Sequence, residues 1–196
     1  MASSDFVVVI LAAGKGTRLR SSLAKVLHRA GGRTLVEHVA RACRPLGARA
    51  VFAVVGYQAD QVSAVVAPLG ALTVVQQPQR GTGHALLAAR RPIGNRARYA
   101  LVVPGDAPLV RTESLRALVR AHQASQAAAT ILSAHLADPT GYGRIVRKHD
   151  GAGAPVKAIV EESALSDDLR GITEIDRKST RLNSSHIQKS RMPSSA

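Results

Sequence analysis

Aromatic residues are scarce in this chain. Its 196 residues hold no Trp, two Phe and three Tyr, so any core must be built from Ala, Val and Leu. Base stacking on aromatic side chains, the usual device of single-strand nucleic-acid binders, has little to work with. The lone cysteine, Cys43, excludes an internal disulfide framework. It falls in a helical pattern over Leu35–Arg44 and reads as a small buried hydrophobe rather than a reactive thiol. No run reaches the ~18 apolar residues of a membrane span. The early run Phe6–Ala13 follows an acidic residue and lacks a basic leader, which points to a buried strand and not to a signal peptide. A soluble cytoplasmic protein is the expectation. Acidic residues are also few: 13 Asp and Glu face 27 Lys and Arg, for a net charge of +14. The arginines are scattered and no basic helix carries interleaved aromatics, so no nucleic-acid partner is expected. A GC-rich genome accounts for much of the Arg and Ala excess, and a polyanionic small substrate for part of the charge.

What is present is an alternation of short β-branched runs and helical stretches. Phe6–Leu11 is apolar on both faces, as a central parallel strand must be. Ala50–Val55, Leu72–Val75, Ala100–Val103 and Ala128–Ser133 read as four further strands. Helical patterns over Leu35–Arg44, Gln58–Ala67, His84–Arg91 and Thr112–His122 lie between them. This order predicts an α/β fold, Rossmann-like, with a mostly parallel sheet and helices on both faces. Ligands of such sheets bind beyond the carboxyl ends of the strands, so the loops from Ala12, Gly56, Gln76 and Pro104 are the ones to watch. Beyond Pro139 the pattern changes. Gly141–Val146 and Pro155–Val160 read as a β-hairpin beside the main sheet, turning at Asp150–Gly153. Residues 176–196 are rich in Ser, Lys and Arg without periodicity. They are expected to be a disordered basic tail, foreign to the native protein, resembling translated vector sequence. Residues 1–175 then form the credible domain.

The segment Leu11-Ala-Ala-Gly-Lys-Gly-Thr-Arg18 follows the first strand directly. Small residues and two glycines let successive amide N–H groups approach an anion. Lys15, Arg18 and Lys25 add positive charge. Neither the Walker A spacing nor a complete Gly-x-Gly-x-x-Gly is present, so the loop is of another phosphate-binding kind.

This loop, with Lys25-Val-Leu27, resembles the signature of sugar-phosphate nucleotidyltransferases. Gln76 followed by Gly81-Thr-Gly-His-Ala85 is similar to the base-reading segment of the bacterial bifunctional N-acetylglucosamine-1-phosphate uridyltransferases, in their N-terminal nucleotidyltransferase domain. Pro104-Gly-Asp106-Ala-Pro-Leu109 resembles their metal-site loop. Asp138–Ile145 and Ile159–Glu162 complete five motifs in the family's order, from about Phe6 to Ile175. The resemblance implies a nucleotide-diphospho-sugar transferase fold that is incomplete at its C-terminal side.

It also implies uridylyl transfer from UTP to N-acetylglucosamine 1-phosphate, with Mg²⁺ as cofactor and pyrophosphate as leaving group. Arg18 and Lys25 then act on the phosphates. Leu11, Ala12, Ala13, Gly14, Lys25, Gln76, Gly81 and Thr82 bind the nucleotide, the Gln76 amide offering a donor and an acceptor to the uracil edge. Gly105, Gly143 and Glu161 meet the sugar, and Asp106 holds the metal, although an Asp there equally suits a plain turn. Glu161 and Glu162, read as strand neighbours, would face opposite ways, leaving Glu162 in solvent. The seven histidines show no ligand spacing and read as structural or surface residues. Full-length family members form trimers through a C-terminal acetyltransferase domain that has no counterpart here.

Departures limit what this chain does alone. Asp176 stands where the family places a substrate-contacting Asn, Ser163 where it often has Lys, and the second metal ligand lies further along the family's chain. Little turnover is expected from these 196 residues. Two other readings stay open: another sugar-phosphate or molybdenum-cofactor nucleotidyltransferase, and a non-catalytic nucleotide- or RNA-binding module.

Overall fold

A computed structural model describes residues 5–16, 19, 21–125, 127–151 and 153–176. The chain divides at Arg120/Ala121 into two units.

In the first unit, β1 (Phe6–Ala12) is followed by a short antiparallel pair, β2 (Arg29–Ala30) and β3 (Arg33–Thr34). Then come α1 (Leu35–Cys43), β4 (Val51–Val55), α2 (Ala59–Val66), β5 (Ala71–Val75), α3 (Thr82–Ile93) and β6 (Tyr99–Pro104). α4 (Thr112–Ser125) crosses the boundary between the units. β1, β4, β5 and β6 form one parallel sheet in the order β5-β4-β1-β6. The chain steps outward through β4 and β5, then returns to the free flank of β1 as β6. Connections therefore diverge between β1 and β6, where doubly wound sheets open a ligand crevice.

The all-apolar β1 is central because both of its faces are covered. Phe6, Val8, Ile10 and Ala12 pack with Val36, Val39, Ala40 and Cys43 of α1, Val62 and Val66 of α2 and Leu115 of α4. Val7 and Val9 pack on the other side against Ala85, Ala89 and Ile93 of α3. Each buried Val or Ile contributes about 1.5–3 kcal/mol of burial, which is how a core nearly free of aromatics holds together. The start of α1 is set locally. The Thr34 hydroxyl accepts from the Glu37 N–H (3.2 Å), and Glu37 in the first turn complements the helix dipole.

The second unit contains β7 (Ser133–His135), β8 (Arg144–Arg147), β9 (Val156–Val160) and β10 (Glu174–Asp176), an antiparallel sheet in the order β7-β10-β8-β9. β8 and β9 are the expected hairpin, but they belong to this four-stranded sheet rather than standing alone. The expected fifth strand over Ala128–Ser133 is corrected. Residues 128–132 are not strand, and β7 starts at Ser133, pairing antiparallel with β10. Ala is a poor strand residue, and the ladder begins only where β10 offers partners. Asp176, read from sequence as the start of the tail, is the last residue of β10, opposite Ser133. The rest of that tail lies outside the described residues. No described helix is long and apolar enough to cross a membrane.

Candidate functional site at the carboxyl edge of the parallel sheet

Two loops pin the end of β1 and the residue that follows it. The Leu11 carbonyl accepts from the Gly105 N–H (2.8 Å) at the end of β6, and the Ala13 carbonyl accepts from the Tyr57 N–H (3.1 Å) beyond β4. Glycines make these approaches possible. A Cβ on Gly105 would lie 2.9 Å from the Leu11 oxygen, and one on Gly56 would lie 2.8 Å from Gln79 Nε2 and 3.0 Å from the Ala13 oxygen. Gly105, assigned to the sugar by resemblance, thus has a packing task in this structure. Leu11, Ala12 and Ala13 are held at the strand end, while Gly14 and Lys15 are exposed. The Lys15 ammonium sits 5.2 Å from the centre of the Tyr57 ring, at cation–π range.

Lys25 and Asp106 are brought together. Lys25 opens a one-turn helix, Lys25–Leu27, whose Val26 and Leu27 are buried. Its Nζ lies 2.6 Å from Asp106 Oδ2, with both side chains partly exposed. Asp106 comes directly after Gly105 at the carboxyl end of β6. Gly16, absent from the expected site, is what lets Lys25 reach across: its φ is +73°, and a Cβ there would stand 2.5 Å from Lys25 Cβ. Arg18 lies outside the described residues. Among the described residues no group of three His, Cys, Asp or Glu gathers as a metal cage. A lone carboxylate beside a phosphate-type loop suits a hard cation that takes its other ligands from substrate oxygens and water, as Mg²⁺ does.

Between β5 and α3, Gln76 is buried, and its Nε2 donates to the Gly81 carbonyl (2.9 Å) and contacts His84 Nδ1 (3.1 Å). A carbonyl only accepts, so the amino group must face Gly81, and His84 Nδ1 is then the acceptor. This corrects the expectation that Gln76 offers a ligand both a donor and an acceptor. Its two amino hydrogens are committed internally, and Oε1 is what the side chain retains. Gly81 at φ +85° precedes Thr82, the first residue of α3.

In the second unit, Gly143 and Glu161 are neighbours. A Cβ on Gly143 would lie 3.1 Å from the Val160 oxygen and 3.7 Å from Glu161 Oε2. Glu161 and Glu162 are not strand neighbours, because β9 ends at Val160 and Glu162 starts a short helical turn. Nor is Glu162 left in solvent. Its Oε2 accepts from Arg144 Nη1 at 3.0 Å, and Arg144 is buried. The same nitrogen donates to the Pro139 carbonyl (2.9 Å) and to that of Tyr142. Sequence reading missed this clamp, because nothing in Gly-Arg-Ile distinguishes a buried arginine from an exposed one. Glu174 is buried as well. Arg147 binds both of its oxygens and Ser133 donates to one. The Arg147 hydrogen bonds hold the Glu174 carboxyl below the usual carboxylate range, against the opposing effect of burial.

Of the histidines, His38, His84, His122 and His149 make hydrogen bonds to residues near in sequence, and His135 makes one to the distant Thr173. Burial pushes the Cys43 thiol up to about 12, as befits a core residue.

The parallel sheet with helices on both faces is an α/β fold of the nucleotidyltransferase type, and a cation-and-carboxylate pair lies beside its first loop. The chain belongs to the family of MobA-like NTP transferase domains, which matches residues 8–183. Among curated relatives, the bifunctional protein GlmU of Synechococcus sp. (strain CC9311) is 46% identical over 164 residues, covering 83% of this chain and 36% of the relative. The chain thus spans about a third of the length of that relative. Among solved structures, a putative glucose-1-phosphate thymidylyltransferase from Bacillus anthracis, in complex with a sucrose, has a TM-score of 0.70 at 17% identity, covering 87% of this chain and 68% of that one. The manganese complex of Rv0371C from Mycobacterium tuberculosis has a TM-score of 0.52 at 25% identity, covering 62% of this chain and 61% of that one.

Proposed function

We propose that the chain is the nucleotide-binding part of a uridylyltransferase that joins UTP to N-acetylglucosamine 1-phosphate, giving UDP-N-acetylglucosamine and pyrophosphate. The observation that carries this reading is the 2.6 Å pair of Lys25 and Asp106 beside the Leu11–Gly16 loop. The identity to a protein named GlmU supports the choice of substrates.

The sugar phosphate is already an anionic nucleophile, so no serine or cysteine has to be activated. Placement and charge neutralisation do the work. Loop amides from Ala12 to Gly14 cradle the phosphates. In the free protein the Lys25 ammonium neutralises Asp106. With the nucleotide bound, Lys25 turns to the α-phosphate, where negative charge builds as the sugar-phosphate oxygen attacks. A divalent cation, Mg²⁺ in this reading, would be held by Asp106 and would offset charge on the departing pyrophosphate. Manganese in the Rv0371C complex supports a divalent ion in a protein of related fold.

Gln76 Oε1 accepts from the uracil N3–H, while Gly81 and Thr82 offer backbone groups to the same edge. Cytosine presents an acceptor at N3 and would meet Oε1 with a second acceptor, which disfavours CTP. Gly143 and Glu161 grip the sugar, the carboxylate accepting from hydroxyls. Both units belong, in this reading, to one nucleotidyltransferase domain that works in the cytoplasm.

Calorimetric titration with UTP, CTP, ATP and GTP, each with Mg²⁺, tests the reading. UTP should bind tightest, and EDTA should weaken it. Equal affinity for all four nucleotides, or affinity that follows polyanion length and collapses with salt, would reject the reading in favour of general polyanion binding.

A further inference from the structure

Gln58 is the one non-glycine residue among those described whose backbone is left-handed, with φ 52° and ψ 44°. A long side chain holds such a conformation only where its surroundings over-determine it. Gln58 stands at the N-terminus of α2, yet its side chain does not cap that helix. It reaches instead to a segment more than thirty residues earlier. Oε1 accepts from the Ala24 N–H at 2.7 Å, and Nε2 donates to the Ser22 carbonyl at 3.2 Å. The neighbouring Tyr57 hydroxyl donates to the same Ser22 carbonyl at 2.9 Å. Ala24 is fully buried and immediately precedes Lys25.

We propose that Gln58 is a positioning residue for phosphate binding: by gripping the backbone of Ser22 and Ala24 it fixes where Lys25 leaves the chain. This rests on the reading of Lys25 as a phosphate ligand. Lys25 is then held on two sides, by the bare backbone of Gly16 beneath its Cβ and by the Gln58 amide behind its own backbone. The strain at Gln58 follows from this task. An extended or right-handed backbone there would send the amide elsewhere, and of these three hydrogen bonds only that of Tyr57 would remain.

The test is a double-mutant cycle on the whole chain, read as UTP affinity in Mg²⁺ with a thermal melt of each variant. Q58G removes both hydrogen bonds and relieves the backbone. Q58N keeps a side chain at ease in the left-handed region but is one methylene too short to reach both groups. Each should melt cooperatively and bind UTP about tenfold more weakly. In a K25M background neither should weaken binding further, because the effect passes through Lys25. A merely structural role would not give that non-additivity. If K25M weakens binding while Q58G and Q58N bind as wild type, the positioning role is overturned and Lys25 stands. Losses that simply add overturn it as well. Unchanged affinity in K25M would reject the phosphate reading of Lys25 itself, and this inference with it.

Discussion

Lys25 crosses the bare backbone of Gly16, where an added Cβ would lie only 2.5 Å from Lys25 Cβ. The residue is constrained twice, since its φ of +73° also disfavours any side chain. G16A should cost about 1–3 kcal/mol of stability in denaturant titration. It should also weaken UTP binding, because Lys25 must move. K15A, which removes only a cation stacked near Tyr57, should cost far less of both. Equal losses from the two would disprove a special place for Gly16.

Asp106 is within salt-bridge range of Lys25 and lies two residues past the end of β6, the strand beside β1. D106N keeps the shape and deletes the charge. UTP affinity in the variant should no longer respond to Mg²⁺ or EDTA, while the fold persists, because a partly exposed ion pair contributes at most about 1 kcal/mol. A Mg²⁺ response equal to wild type would remove Asp106 from the metal site.

Glu174 gives the second unit an acid sensitivity. Its folded carboxyl titrates below the ordinary value of 4.5 because Arg147 stabilises the charged form. The contribution is therefore fully present above pH 4.5 and is lost as pH falls through the lower folded value. E174Q should be less stable than wild type at pH 7, by about 1–3 kcal/mol for leaving the partly buried Arg147 without its charged partner. It should also lose less on acidification. Denaturant titrations at pH 7 and at mildly acid pH provide the comparison, and parallel acid losses in both proteins would count against the linkage.

Cys43 is fully buried, and its thiol is raised from 9.0 to about 12 by loss of solvent. A thiol reagent at pH 8 should label it only in denaturant. The sign of the linkage is opposite to that of Glu174. The unfolded thiol ionises near 9.0 while the folded one stays protonated, so stability should fall as pH rises from there toward 12. C43S should remove that alkaline decline. Rapid labelling of the native chain would show that the core around α1 opens readily.

Elements governed by near neighbours are legible in the sequence. The four parallel strands, the four helices and the hairpin follow from apolar periodicity, and the loop after β1 from its small residues. The failures came where partners are remote in sequence. Ala128–Leu132 read as a strand from composition, but a strand exists only where another chain segment completes its ladder, and β10 begins that ladder at Ser133. Glu162 looked solvated because no local pattern reveals Arg144, eighteen positions away, as its buried partner.

Local chemistry, then, settles the order of elements, the glycine loop and the residue types available for phosphates. It does not settle which carboxylate meets which cation, why Gly16 must be bare beside Lys25, or why Gln58 bends into a left-handed backbone. Those depend on chain crossings that bring distant residues within 3 Å, and sequence periodicity carries no record of such crossings.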